Sequence, residues 1–253
     1  MSITCTGDHR IHCDWDWKDV DSLKIGDKVS CAIDNNRKSE KLFIIDFTMC
    51  NGRIVLDKNI AYSMGLVQMG GHVGPNDLEF MSYDKEIVEW FNWFCKDYGL
   101  NRTKYMDDKI VRLEGKLSLD FYNSLGVIDN GSISDRVPEC IFRSPVEVIC
   151  NYIKGVFDSD GIFSEIKKCS LSLVSKSENF LKDLQQLLFY IGIPCSRSVS
   201  GSKCILTIDR SVMKKYCDMV GTREIVLKYL FAKNSEKFGY DYVKQDVSKV
   251  VVS

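Results

Sequence analysis

The apolar and polar positions of this chain repeat themselves. The run Ala61-Tyr62-Ser63-Met64-Gly65-Leu66-Val67-Gln68-Met69-Gly70-Gly71 is almost wholly apolar and ends in glycine. Asn151-Tyr152-Ile153-Lys154-Gly155-Val156-Phe157-Asp158-Ser159-Asp160-Gly161 has the same form. Each reads as a packed helix closed by a glycine C-cap. After the first, Ser82-Tyr83-Asp84-Lys85 announces a capped amphipathic helix from Ile87 to Gly99, with Trp90, Phe91 and Phe94 on one face. After the second, Ser175-Lys176-Ser177-Glu178 does the same for Phe180 to Gly192, with Leu181, Leu184, Leu187 and Leu188. Lys109 to Leu113 and Lys203 to Ile208 then read as strands, and a final helix ends at Gly126 or Gly221.

These landmarks keep their order and nearly their spacing. Gly71 and Gly161 are 90 residues apart, and Lys109 and Lys203 are 94 apart. The unit is helix, two strands, helix, strands, helix, written twice, which is the mark of an internal repeat. The pattern predicts an α+β fold with one repeat over residues 59–140 and a second over 141–230. A small β-rich fragment, 1–58, precedes them and a tail, 231–253, follows.

Composition narrows the reading. With 253 residues, 45% of them hydrophobic, the chain can bury a large core. It contains no apolar run of the roughly 18 to 20 residues that a membrane helix needs, and it opens on a polar segment. The eleven cysteines occur singly, without a CxxC pair, as reduced core thiols of an intracellular protein would. A disulfide framework and a structural zinc site are therefore not expected.

The net charge of −1 hides an asymmetry. Residues 161–215 carry nine basic and four acidic side chains, whereas residues 59–160 carry ten and sixteen. Gripping a polyphosphate requires local cations, because counterion release dominates affinity. The second half has that character, with Lys167, Lys168 and Arg197 as candidate contacts.

The segment Tyr152 to Gly161 resembles the LAGLIDADG signature of homing endonucleases, nearly letter for letter at its Asp158-Ser159-Asp160-Gly161 end. Arg136-Val137-Pro138-Glu139-Cys140-Ile141-Phe142-Arg143-Ser144-Pro145 is similar to the stretch that precedes this motif in intein-borne members. Ser175 to Pro194 resembles the helix that follows it. At the N-terminus, Thr6-Gly7-Asp8-His9-Arg10-Ile11, then Trp17 and Leu23 to Val29, looks like the Thr-x-x-His block of an intein (Hint) splicing domain. Protein splicing also uses an upstream Cys or Ser nucleophile and a terminal His-Asn, so the expectation is that His9 is structural and that the chain does not splice.

The resemblance implies a monomer that binds long, pseudo-palindromic double-stranded DNA, inside the cell in the cytoplasm or at the nucleoid. It implies that the two signature helices pack together at a pseudo-twofold axis, where Gly65 and Gly155 permit close approach. The strands of each half would form a saddle in the major groove, where base edges carry a distinct code. The last acidic residue of each motif would face one scissile phosphate and hold Mg²⁺, a hard cation suited to oxygen ligands. Asp160 takes that catalytic and metal-ligating position, and Asp158 reads as structural. In the first motif Gly70 stands where the catalytic Asp belongs, and Gln68, His72 and Asp77 are each misplaced to substitute. Lys109 and Lys203 become candidates for the basic residue near the attacking water, one per half, with Arg136 a further basic candidate. Losing one carboxylate of a paired site costs orders of magnitude in rate. The expected activity is therefore impaired cleavage or nicking. The alternative is a non-catalytic DNA-binding protein, a regulator or splicing helper, on the same scaffold.

Overall fold

The computed structural model describes residues 6–13, 16–32, 44–47, 52–104, 109–164, 170–221 and 242–246. The chain opens with strands β1 (Arg10–Cys13), β2 (Asp16–Asp19) and β3 (Lys28–Ala32), then a hairpin of β4 (Ile44–Phe47) and β5 (Gly52–Val55). The first repeat runs α1 (Lys58–Gly70), β6 (Gly71–Val73), β7 (Asp77–Met81), α2 (Lys85–Asp97), β8 (Arg102–Lys104), β9 (Ile110–Glu114) and α3 (Lys116–Ser124). A connection follows, made of a two-residue hairpin, β10 (Ile128–Asp129) and β11 (Ser132–Ile133), and the short helix α4 (Glu139–Phe142). The second repeat is α5 (Val146–Asp160), β12 (Ile162–Ser164), β13 (Ser170–Ser175), α6 (Glu178–Tyr190), β14 (Ser196–Ser200), β15 (Lys203–Ile208) and α7 (Arg210–Met219). Last comes β16 (Tyr242–Asp246).

Both repeats build an antiparallel sheet with the same strand order, β6-β7-β9-β8 and β12-β13-β15-β14. In each, strict alternation puts one face on the core. Leu78, Phe80, Val111 and Leu113 are buried beneath the helices of the first sheet, and Leu171, Leu173, Leu206 and Ile208 beneath those of the second. The helices supply matching faces: Phe91 and Phe94 from α2, and Leu181, Leu184, Leu187 and Leu188 from α6, are all buried. Trp90 is half-buried, with its ring 5.5 Å from Phe94 and edge-on to Tyr62 at 4.5 Å.

The helix starts follow from side-chain caps. Asp57 accepts from the Asn59 and Ile60 amides at 2.9 and 2.8 Å, Asp84 from Glu86, and Ser177 from Phe180. The signature helices end differently from the expected left-handed glycine cap. Gly71 and Gly161 are extended, with φ of −87° and −69°. Glycine is needed there because the chain leaves the helix so sharply that a Cβ would lie 2.4 Å from the carbonyl oxygen of Val67 or Phe157.

One strand lies within the C-terminal tail, 231–253. β16 pairs with β3, from Tyr242 opposite Ala32 to Asp246 opposite Lys28, and completes the sheet β16-β3-β1-β2. Chain from beyond the second repeat thus joins the N-terminal strands. The connection between repeats is tied to both. Gln68 of α1 donates to the Ser134 carbonyl at 2.5 Å. Arg136 holds the buried carboxylate of Asp183 in α6 through Nε at 2.6 Å and Nη2 at 3.0 Å. Cys13, Cys95, Cys140, Cys150, Cys195, Cys204 and Cys217 are reduced, and burial pushes the Cys95 and Cys140 thiols up to about 12.

Candidate active site and nucleic-acid interface

The axis of the molecule is the contact between α1 and α5. A Cβ placed on Gly65 would lie 2.2 Å from the Tyr152 carbonyl oxygen, and one on Gly155 would lie 2.3 Å from the Tyr62 carbonyl oxygen and 3.1 Å from the Gly65 Cα. Backbone therefore meets backbone, which only glycine permits. Beside this crossing, the Tyr62 hydroxyl donates to Asp158 Oδ2 at 2.8 Å, and Lys154 ion-pairs with the same carboxylate. Asp158 is buried, and its role is to tie the two helices together, as a buried carboxylate with two partners should.

Both helices end at one cavity of about 350 Å³, whose wall includes Gly70, His72, Glu79, Ser159 and Asp160. Asp160 sits exposed at its mouth, and neighbouring protein still excludes enough water to raise its carboxyl above the usual range. Among the described residues it has no hydrogen bond or ion pair. Gly70 is the pseudo-symmetric position, and the space beside it is filled. A Cβ there would meet Ser159 Oγ at 2.8 Å, the Met81 carbonyl oxygen at 2.9 Å and Phe80 Cε2 at 3.0 Å.

The donors fit a hard cation on one side only. Asp160 offers an unengaged carboxylate with the Ser159 hydroxyl next to it. Glu79, the other carboxylate of the wall, accepts from Arg112 Nε at 2.9 Å, and Arg112 also pairs with Asp77 at 3.4 Å. No group of three His, Cys, Asp or Glu side chains forms a ready metal cage among the described residues.

Strand register decides where the basic candidates lie. Glu79 pairs with Arg112 as Ser172 pairs with Thr207, and Leu78 with Leu113 as Leu171 with Ile208. The offset between β9 and β15 is therefore 95, one more than the spacing of the two lysines suggests. A one-residue slip in a strand exchanges its faces. Lys203 lies on the open face of its sheet opposite Ser200, whereas Lys109 corresponds to the buried Cys204. Lys109 is exposed just before β9, its ammonium 5.5 Å from the Tyr83 ring. They are not a symmetric pair. Arg197 pairs across strands with the buried Leu206, so it lies on the helix-bearing face, where it is 3.8 Å from Glu178 of α6. That position faces away from the open sheet. Arg136 is engaged with Asp183. Lys167 and Lys168 fall outside the described residues. His9 is exposed ahead of β1, its backbone bonded to Thr6 and Val20.

Sequence reasoning did not single out the open-face rows. On the first sheet His72, Glu79 and Arg112 stand side by side; on the second, Ile162, Ser172, Thr207 and Ser196 occupy the equivalent row. Period-two reading of β13 and β14 (Ser170, Ser172; Ser196, Ser198, Ser200) carried that signal.

Two pseudo-symmetric repeats, joined glycine to glycine and ending at a shared cavity, define the mixed α/β fold of the LAGLIDADG homing endonucleases. Residues 147–221 match the LAGLIDADG-like domain family. Among curated proteins, the chain is similar to the glutamine–fructose-6-phosphate aminotransferase of Methanocaldococcus jannaschii, with 28% identity over 142 residues. It is also similar to the RNA polymerase subunit Rpo1C of the same organism, with 23% identity over 207 residues. These matches cover 53% and 78% of this chain, but only 13% and 23% of those proteins. Full-length DUF199/WhiA from Thermatoga maritima superposes with a TM-score of 0.51 at 12% identity, over 72% of this chain and 63% of that one. I-DmoI in complex with DNA and Mn superposes at 0.50 and 13%, over 67% and 99%. At such identities the likeness is one of fold. No helix among the described residues is long and apolar enough to cross a membrane.

Proposed function

We propose that this chain is a DNA-binding protein of the homing endonuclease type, acting as a monomer on a long duplex site. In this reading it hydrolyses one strand at Asp160 and is impaired at the other, where Gly70 replaces the acidic residue. The observation that carries the reading is the glycine-to-glycine crossing of α1 and α5, which delivers Asp160 and Gly70 together to one cavity. The DNA-bound state of I-DmoI lends support, since the two chains share a fold.

Asp160 would hold the divalent cation, Mg²⁺ or Mn²⁺, with the Ser159 hydroxyl nearby. When bound, such a cation supplies a water of lowered pKa and neutralises charge developing on the phosphate. The raised carboxyl of Asp160 is suited to this, because a cation favours its ionised form and reverses the cost of burial. Ser159 and the Met81 carbonyl fill the space next to Gly70, and Gly70 itself offers no carboxylate to the second strand. Lys203 and Lys109 would contribute phosphate contacts.

The origin of the module is proposed to be an inserted, intein-borne one. Two observations support it. β16 and β3 pair across the whole endonuclease-like part, so the repeats interrupt a single β-sheet. The curated matches are small portions of proteins with unrelated activities, as expected of a segment carried within hosts.

A non-catalytic DNA-binding role is favoured by one specific observation, the filled space at Gly70. Supercoiled plasmid carrying a selected site, incubated with Mg²⁺, separates the readings. Open circles that vanish with Asp160→Asn are expected. Linear product from the unaltered chain would refute impairment at Gly70, and binding without any break would leave the non-catalytic reading.

A further inference from the structure

The two open sheet faces, equivalent by strand register, differ in chemistry from end to end. On the first, among the described residues, Asp77, Glu79 and Glu114 are three carboxylates against the single guanidinium of Arg112, beside His72, Met81 and Ile110. Arg112 is consumed by Asp77 and Glu79. On the second, Ser170, Ser172, Thr207, Ser196, Ser198 and Ser200 share the face with Ile162, Val174, Ile205 and Lys203. It carries no carboxylate among the described residues. Ser172 and Thr207 already stand as a cross-strand pair, with their hydroxyls 3.1 Å apart. The surrounding sequence agrees, with nine basic and four acidic residues over 161–215.

Resting on the DNA-binding reading above, we infer that recognition is one-sided: the β12-β13-β15-β14 face reads base edges in the major groove, and the β6-β7-β9-β8 face is excluded from close contact with duplex. Hydroxyls serve as donor or acceptor to any base edge, and exposed Ile162 with half-buried Val174 and Ile205 suits thymine methyl groups. Lys203, at the exposed start of β15, is placed for a flanking phosphate. The first face offers the reverse. Carboxylates can only accept, from the cytosine and adenine amino groups in the major groove, and are repelled by phosphates on both sides. Bringing duplex against Asp77, Glu79 and Glu114 would strip water from charges that Arg112 balances only in part. Ser172 and Thr207 are on this view the residues that set sequence preference.

The test selects duplexes from a random-sequence pool with the full chain, in Ca²⁺ to prevent cleavage, and then footprints the selected DNA with hydroxyl radical. Protection over about one helical turn, ~10 bp, on one side of the centre is expected. Ser172→Ala with Thr207→Val should lower preference for the selected sequence by about tenfold or more while leaving the salt slope of binding unchanged. Asp77→Asn with Glu79→Gln should leave the preference intact and strengthen binding to any duplex. Protection of equal width on both sides, or a preference that survives loss of both hydroxyls, overturns the one-sided assignment alone. Failure to retain any duplex overturns the DNA-binding reading beneath it as well.

Discussion

Gly155→Ala is the most direct probe of the helix crossing on which the site depends. The added methyl would lie 2.3 Å from the Tyr62 carbonyl oxygen, 3.0 Å from the Leu66 amide nitrogen and 3.1 Å from the Gly65 Cα. All three are backbone atoms, so no rotamer change relieves them. Ordinary contact begins at 3.4 Å, and α1 must therefore withdraw from α5 by about 1 Å. Overpacking of this kind costs about 1–3 kcal/mol, and the upper end applies where backbone must move. A gap of ~1 Å also forfeits up to about half the dispersion well of each pair it opens. Against this stands the helix propensity of alanine, which returns about 1 kcal/mol. The net loss is about 2 kcal/mol, or a fall of ~4–8 °C in Tm for a chain of this size. Far-UV circular dichroism during thermal unfolding measures it. Gly65→Ala strains the same contact, so the double substitution should cost less than the sum of the two. A Tm that rises on Gly155→Ala, as at a free helix surface, would refute the close crossing.

Three further outcomes follow from the site. Tyr62→Phe removes the hydroxyl that reaches Asp158 across the helices and should cost about 1–2 kcal/mol by chemical denaturation; an unchanged midpoint would mean the bond contributes nothing. Burial raises the Asp160 carboxyl, so its folded pKa exceeds its unfolded one and stability falls as pH rises from the ordinary carboxylate value through the raised one. Asp160→Asn should flatten that part of the Tm–pH profile and make the metal-free protein more stable at pH 7; a profile identical to that of the unaltered chain would contradict the assignment. Gly70→Asp should not restore double-strand cleavage, because its Cβ lies 2.9 Å from the fixed Met81 carbonyl oxygen; efficient linearisation of plasmid by this variant would show the space to be elastic.

Much of this architecture is legible in the sequence because helices advertise themselves over long windows. The 90-residue repeat, the leucines of α6 and the glycines at 65 and 155 all read through to their places in the fold. Asp160 reached the shared cavity through the same motif. Strands are less forgiving. A spacing of 94 between two lysines and a register offset of 95 differ by one residue, yet that residue puts Lys203 on the open face and the equivalent of Lys109 in the core. Arg197 illustrates the same rule: its charge suggested DNA, and its parity along β14 put it against Glu178. The pairing of β16 with β3 was illegible because it joins residues more than 200 positions apart, and no local pattern encodes a partner at that distance.

The places where the two repeats still agree, and those where they have parted, follow from what each position must satisfy. At the crossing, neither Gly65 nor Gly155 can change alone, since any Cβ on one strikes the backbone of the other. The core faces tolerate exchange only within a volume, and aromatic Phe91 and Phe94 in one half answer Leu184 and Leu187 in the other. The open faces are not covered by the helices of their repeats and carry no such volume constraint. There the row His72, Glu79, Arg112 is matched by Ile162, Ser172, Thr207, and Gly70 is matched by Asp160. At Gly70, Ser159 and the Met81 carbonyl crowd the place of a Cβ, and putting a carboxylate there requires moving backbone. The same half gathers the carboxylates Asp77, Glu79 and Glu114 on its open face. Gly70 and the carboxylate-bearing face thus fall on one repeat, and Asp160 and the hydroxyl-lined face on the other. The open-face contrast can arise with little effect on the shared core, because those rows lie on the side of each sheet that the helices do not cover, whereas the contrast between Gly70 and Asp160 is fixed by close packing.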